Sequence, residues 1–188
     1  MTALHSAEAL ERRLRRLEDR IEIGELIARY GLVMDDRDIG GMPALFTPDV
    51  EVHSLDGTMN ASGRDAAIEL FRRQLAGIGP SNHVTHDRII TFDDARADHA
   101  TGVVLSHAEL SRRGVAMVAA IRYNDVYQRD AQAWRFRVRN IGFMYFVDAA
   151  DYPDALGPGL ALRNRILDRP RVADWPESLP TWRHFFGV

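Results

Sequence analysis

HVTHDRIITFDDARADHATGVVLSHAELSRRGVAMVAAIRYNDVYQRDAQAWRFRVRNIGFMYF, running from His83 to Phe146, is the stretch that decides the architecture. Apolar, β-branched and aromatic residues recur in it with a period of two. Turn signals interrupt it at Asp93-Asp94, Arg113-Gly114 and Asp130-Ala131. That pattern predicts four strands, His83–Phe92, Ala100–Arg112, Val115–Arg129 and Trp134–Phe146, with short connections that make neighbours antiparallel.

Toward the N-terminus, Leu10, Leu14, Leu17 and Ile21 are spaced 4, 3 and 4 residues apart. This predicts a helix from Ala7 to Met34 whose opposite face, rich in Arg and Glu, is solvated. In its second half Ile23, Leu26, Ile27, Tyr30 and Met34 make one apolar stripe. Gly24, Ala28, Gly31 and Asp35 make another, roughly 100–160° away. Small residues leading to one carboxylate mean either close packing of the helix on the sheet or room for a ligand.

Asp38 is placed to cap a second, short helix from Gly40 to Phe46, which Thr47-Pro48-Asp49 ends. Val50–His53 and Thr58–Ala61 read as a hairpin around Asp56-Gly57. A third helix follows Ser62-Gly63-Arg64-Asp65 and runs through Ala66 to Leu75, and Gly77 to Asn82 is a loop. Beyond Ala149, prolines alternate with Trp175, Trp182, Phe185 and Phe186. This predicts an irregular tail, with a helix near Leu160–Leu167, too aromatic for disorder. Three helices followed by a strongly bent antiparallel sheet, covered by the helices on one face, is an α+β layout.

Composition narrows the chemistry. The 188 residues suffice for one domain with its own core, and 46% hydrophobic with 27% charged residues describes an ordinary soluble globule. A net charge of -3 gives no reason to expect nucleic acid or an anionic membrane. No apolar run approaches the roughly 18 residues of a membrane span, and no signal peptide is visible, so the cytoplasm is the default. There is no cysteine and no lysine; all 24 basic residues are arginine, as in a GC-rich bacterial genome. Thiol nucleophiles, thiolate metal sites, side-chain Schiff bases and a P-loop lysine are therefore excluded. No GxGxxG, GxSxG or HExxH occurs, so no cofactor is expected from motifs. His, Asp, Glu, Tyr and Arg remain for proton transfer.

The segments Ile27-Ala28-Arg29-Tyr30, Asp35-Asp36-Arg37-Asp38 and Leu45-Phe46-Thr47-Pro48-Asp49 carry a resemblance. So do Gly63-Arg64-Asp65-Ala66, Asn82-His83 through Asp87, and Arg122-Tyr123 through Trp134-Arg135-Phe136. Their order and spacing resemble the SnoaL-like branch of the NTF2-like superfamily over about Ile21 to Phe146. The resemblance implies a cone-shaped α+β domain spanning residues 1–148, with residues 149–188 as an aromatic, proline-rich extension of it. The placement of Tyr30, Asp35 and His83 is similar to that in scytalone dehydratase, hexachlorocyclohexane dehydrochlorinases and bile-acid 7α-dehydratases. In that group an Asp–His dyad removes a proton while a Tyr or Arg polarises the substrate or assists the leaving group, and Arg139 falls where the dehydrochlorinases carry an arginine. The resemblance also implies a homo-oligomer, a trimer ahead of a dimer. The wider family includes isomerases, polyketide cyclases and non-catalytic oxygenase subunits, so fold alone does not choose an activity.

Four residues are the catalytic candidates. His83 would be the general base, since neutral imidazole is the usual one near pH 7. Asp35, which ends the small-residue stripe, would hold its Nδ1 proton. Tyr30 is either an oxyanion donor or a core tyrosine. Arg139, expected to share a face with Ile141, Phe143 and Tyr145, either stabilises an anion or makes a structural ion pair with Asp35 or Glu109. His107, Tyr123, Met117, Phe143 and Met34 are expected to wall a pocket for a hydrophobic, aromatic or polycyclic small molecule. His83-x-x-His86 has metal-like spacing, but on a strand the two rings point to opposite faces. Apolar residues on both faces of the last two strands predict an oligomer built on the outer face.

Overall fold

The computed structural model describes residues 6–157, 162–165 and 170–188. Helix α1 spans Ala7–Asp35, a single 3-10 turn Met42–Leu45 follows, and strands β1 (Phe46–Ser54) and β2 (Asn60–Ser62) form a hairpin. Helix α2 (Arg64–Ala76) leads into β3 (Ile78–Phe92), β4 (His99–Arg112), β5 (Val115–Asp130) and β6 (Ala133–Asp148). A 3-10 turn at Ala149–Asp154 and a short helix α3 (Pro180–Phe186) lie in the tail. The expected helix near Leu160–Leu167 falls largely outside the described residues. Inside them Asn164 is extended, bridging Phe146 and Arg171.

One sheet runs in the order β2-β1-β6-β5-β4-β3. The four long strands are antiparallel neighbours, as their patterns predict. The sheet is nevertheless mixed, because β1 runs parallel to β6. β1 reaches β6 through α2 and four intervening strands, and a connection that long permits parallel pairing. Two local expectations also change. Pro80 does not keep Gly77–Asn82 a loop, because β3 is an edge strand and proline is tolerated there. The second helix shrinks to one turn, whose Gly41 N–H is capped by Asp38 at 2.9 Å, and Phe46 to Asp49 belong to β1.

The second half of α1 and helix α2 cover the inner face of the sheet. Ile23, Ile27, Met34, Phe46, Phe71, Val104 and Phe136 are all buried there in one cluster. The first half of α1 is different. Leu10, Leu14, Leu17 and Ile21 are 55–64% exposed. The side turned to the body is held instead by polar groups. Asp19 takes Arg129 and the Trp134 indole N–H, Arg20 donates to the Ile90 carbonyl at 2.9 Å, and Arg16 lies over Phe92. The reversal is physical: Ile23 is where the stripe facing the sheet begins, and the leucines lie on the other side of the helix.

Two bulges in β6 shift its alternation, one between the Val126 and Tyr127 pairings and one between those of Ala120 and Ile121. They carry Trp134, Phe136, Ile141, Phe143 and Phe146 all into the main core, whereas Tyr145 joins Ala120, Val147 and Ala155 in a second cluster. The outer face over β5 and β6 is thus partly covered by the chain's own tail, which adds bonds from the Phe146 N–H to the Arg163 carbonyl and places Trp175 over Arg122. Among the described residues, no helix is long and apolar enough to cross a membrane.

Candidate active site

Asp35 is the last residue of α1, and Gly31, one turn earlier, brings the helix onto β3. A Cβ added at Gly31 would lie 3.4 Å from the Cβ of His83. At Gly24 an added side chain would run into the Arg88 guanidinium. The small-residue stripe is therefore a close-packing surface, and it delivers Asp35 to His83. The Asp35 carboxylate accepts three hydrogen bonds, from Ser81 Oγ at 2.7 Å, the His83 N–H at 2.6 Å and His83 Nδ1 at 2.7 Å. Burial pushes its pKa upward, but these bonds and the His83 charge prevail and hold the carboxyl below its ordinary value. With Nδ1 so engaged, Nε2 is the ring nitrogen left for the cavity that His83 lines.

Two further residues support this arrangement. Ser81, two residues before His83 on β3, shares its face. Arg37, just beyond α1 with φ of 60°, donates to the Met34 and Asp35 carbonyls, to Ser81 Oγ at 2.9 Å, and to the carbonyls of Ile78 and Gly79. It ties the end of the helix to the start of the strand. The i, i+2 spacing of Ser81 and His83 was a legible signal for Ser81; none existed for Arg37.

The cavity between α1, α2 and the sheet encloses about 280 Å³. Tyr30, Met34, His83, Tyr123 and Phe143 all line it, and Met59 and Phe71 add apolar wall. Burial raises the pKa of Tyr30 strongly and that of Tyr123 upward, with Arg139 pulling both the other way, so both phenols stay protonated at ordinary pH. Met117 sits on the same sheet face beside Leu110 but does not line the cavity.

Two further expectations need correction. His107 faces outward. His83 pairs with Ala108, so it is Ala108 that shares the inner face, while His107 contacts His86 Nε2 at 2.7 Å and lies near Tyr145. Burial and the neighbouring His86 lower its pKa. Arg139 does not reach the cavity either. It is 1% exposed, with its guanidinium 3.8 Å from the Tyr30 ring centre, 3.7 Å from that of Tyr123 and 4.4 Å from that of Phe136. Its anion is neither Asp35 nor Glu109 but Asp125, directly across the β5–β6 ladder at 3.7 Å. Burial pushes Asp125 up to about 6 against the pull of Arg139, and its Oδ2 accepts the Tyr127 hydroxyl at 3.0 Å. Among the described residues no cluster of three or more His, Asp or Glu has metal-binding geometry.

A model of the SnoaL-like domain matches residues 15–140. A hexachlorocyclohexane dehydrochlorinase, LinA-type3 from Novosphingobium barchaimii, is similar with a TM-score of 0.65 over 73% of this chain and 94% of its own, at 21% identity. A scytalone dehydratase-like protein from Novosphingobium aromaticivorans gives 0.65 over 71% and 89%, at 19% identity. An NTF2-like protein with a cystatin-like fold from the same organism gives 0.62 over 82% and 99%, at 29% identity. The likeness to the first two is one of fold. No curated protein matches the chain significantly.

Proposed function

The chain belongs to the SnoaL-like domain family, and from that premise we propose that it is a cofactor-independent lyase acting on a compact hydrophobic molecule. The observation that carries this reading is the contact of His83 Nδ1 with Asp35 at 2.7 Å on the edge of an apolar cavity. Asp35 fixes the tautomer and stabilises the imidazolium that forms when Nε2 accepts a proton. The proton comes from carbon or a hydroxyl of the substrate. Its bonding pair becomes the new double bond as the leaving group departs from the neighbouring atom with its own pair. Tyr30, kept protonated by burial, donates to the developing anion or to the leaving group. Arg139 acts from behind, its charge making the Tyr30 and Tyr123 hydroxyls better donors without touching the substrate. Loss of water, or of a small fragment such as formaldehyde from an aryl diol, suits the same set.

A volume of about 280 Å³ lies at the lower end for small-molecule sites and favours one or two rings over a larger polycycle. An isomerase of the ketosteroid type has less support, because it calls for a carboxylate base and no Asp or Glu lines the cavity among the described residues. The test is a panel of hydroxylated and halogenated one- and two-ring compounds, with steroid-like controls, assayed for elimination with wild type and His83→Gln. Elimination by wild type that His83→Gln abolishes, in a variant that remains folded by circular dichroism, supports the reading. Equal turnover in both proteins would overturn the dyad, and copurification with an oxygenase partner without turnover would favour a non-catalytic subunit.

A further inference from the structure

The first half of α1 carries an apolar surface that meets no partner among the described residues. Ala7, Leu10, Leu14, Leu17 and Ile21 fall at alternating a and d positions of a heptad, with a at 7, 14 and 21 and d at 10 and 17. The four larger side chains are 55–64% exposed. At about 100° per residue they centre roughly 150° around the helix from the side that Ile23, Ile27 and Tyr30 press on the sheet. Another helix laid along the leucines would thus have the two bodies on opposite, outer sides. The register spans about 21 Å at 1.5 Å per residue.

The flanking charges say which partner fits. Position e is always acidic, Glu11, Glu18 and Glu25, and position g is always basic, Arg13 and Arg20. In a parallel pair of identical helices, g faces the e of the next heptad on the partner, so Arg13 meets Glu18 and Glu18 meets Arg13. In an antiparallel pair g faces g and e faces e, and every flanking contact is repulsive. Leucine at both d positions, with isoleucine at one a, fits two strands. Arg20 is drawn back by the Ile90 carbonyl and the Phe92 ring, so Arg13 and Glu18 carry the charge specificity. We infer that the first half of α1 pairs in parallel with the same segment of a second copy, through Leu10, Leu14, Leu17 and Ile21, and makes the protein a dimer. The occupant of the exposed leucine stripe is the same stripe of another chain.

The absence of cysteine gives a direct test on the full chain. Leu10→Cys and Ile21→Cys are made singly and oxidised. In the parallel register each residue faces its own copy, so each variant alone yields a disulfide-linked species at twice the 21.2 kDa of one chain. An antiparallel pair would link only when the two variants are mixed, and no linkage in any sample would exclude the interface; either result overturns the inference. Light scattering over a concentration series should give a dimer for wild type and a monomer for Leu14→Glu/Leu17→Glu, with unchanged circular dichroism because both sites are exposed. A dimer that survives the double change, or a trimeric wild type, would overturn it too. Arg13→Glu should weaken association several-fold, and Arg13→Glu/Glu18→Arg should restore it.

Discussion

Replacing Asp35 by Asn keeps the shape and removes the charge, and its consequences follow from three bonds. The carboxylate accepts from Ser81 Oγ, the His83 N–H and His83 Nδ1, all at 2.6–2.7 Å. Hydrogen bonds to a charged acceptor contribute about 1.5–3 kcal/mol each and neutral ones about 0.5–1.5. An asparagine has one oxygen for three donors, and its amide N–H₂ must point at one of them. Both side chains are under a fifth exposed, so screening is modest, and the low end of the range gives a loss of about 2–3 kcal/mol. For a chain this long that is a melting-temperature drop of roughly 4–12 °C. The sign with pH is fixed by the direction of the shift. Asp35 titrates lower in the folded chain than in the unfolded one, so its contribution is fully present above the ordinary aspartate pKa of about 4 and fades as pH falls through the folded value. Melts of wild type and Asp35→Asn should therefore be well separated at pH 7 and converge in strong acid. Turnover, once a substrate is in hand, should fall further than stability implies. An imidazolium about 4 Å from a carboxylate charge at an effective dielectric near 20 gains up to about 4 kcal/mol, and roughly half of that after partial exposure corresponds to about a 30-fold loss in kcat/KM. Superimposable melts from pH 4 to 8 would refute the reasoning, because Asp35 would then not be a charged acceptor in the folded state.

Arg139→Met should destabilise by about 3–5 kcal/mol in urea unfolding at pH 8, since it strands Asp125 in the core, and by progressively less as the pH is lowered, because burial without the arginine favours the protonated carboxyl further. His107→Ala should leave turnover unchanged, because His107 lies on the outer face of the sheet; a large drop in kcat would place it back in the site. Activity should survive exhaustive dialysis against EDTA, since His83 and His86 stand on opposite faces of β3; loss of activity with restoration by a stoichiometric metal would contradict this.

How far the sequence reaches depends on the range of the interaction being read. The long strands were legible because a period of two sustained over a dozen residues has no competing explanation. The edge strand at Ile78 was not, because Pro80 and Gly79 carry the local signature of a loop and only pairing with β4 overrides it. Face assignments failed wherever the ladder slips. A single bulged residue reverses inside and outside for everything after it, and β6 has two such slips; local composition marks neither, so Tyr145, expected on the face of Arg139, Ile141 and Phe143, turns to the second cluster.

The same limit explains the candidate site. Asp35 and His83 lie 48 positions apart, and nothing in either neighbourhood specifies the other; the resemblance brought them together, and the approach of α1 to β3 at Gly31 is the physical means. His107 was misplaced because its face depends on the β3–β4 register, which pairs His83 with Ala108, and a shift of one residue would have turned it inward. Arg139 teaches the converse. Its apolar neighbours along β6 correctly said that it is buried and must meet an anion, but which anion is a cross-strand fact. With Asp125 as that anion, and two cavity tyrosines stacked against the guanidinium, the arginine is tied to the wall of the pocket. A charge held there cannot swing toward a ligand without unpairing Asp125 in the core, so in the proposed reaction its influence would pass through the tyrosine hydroxyls.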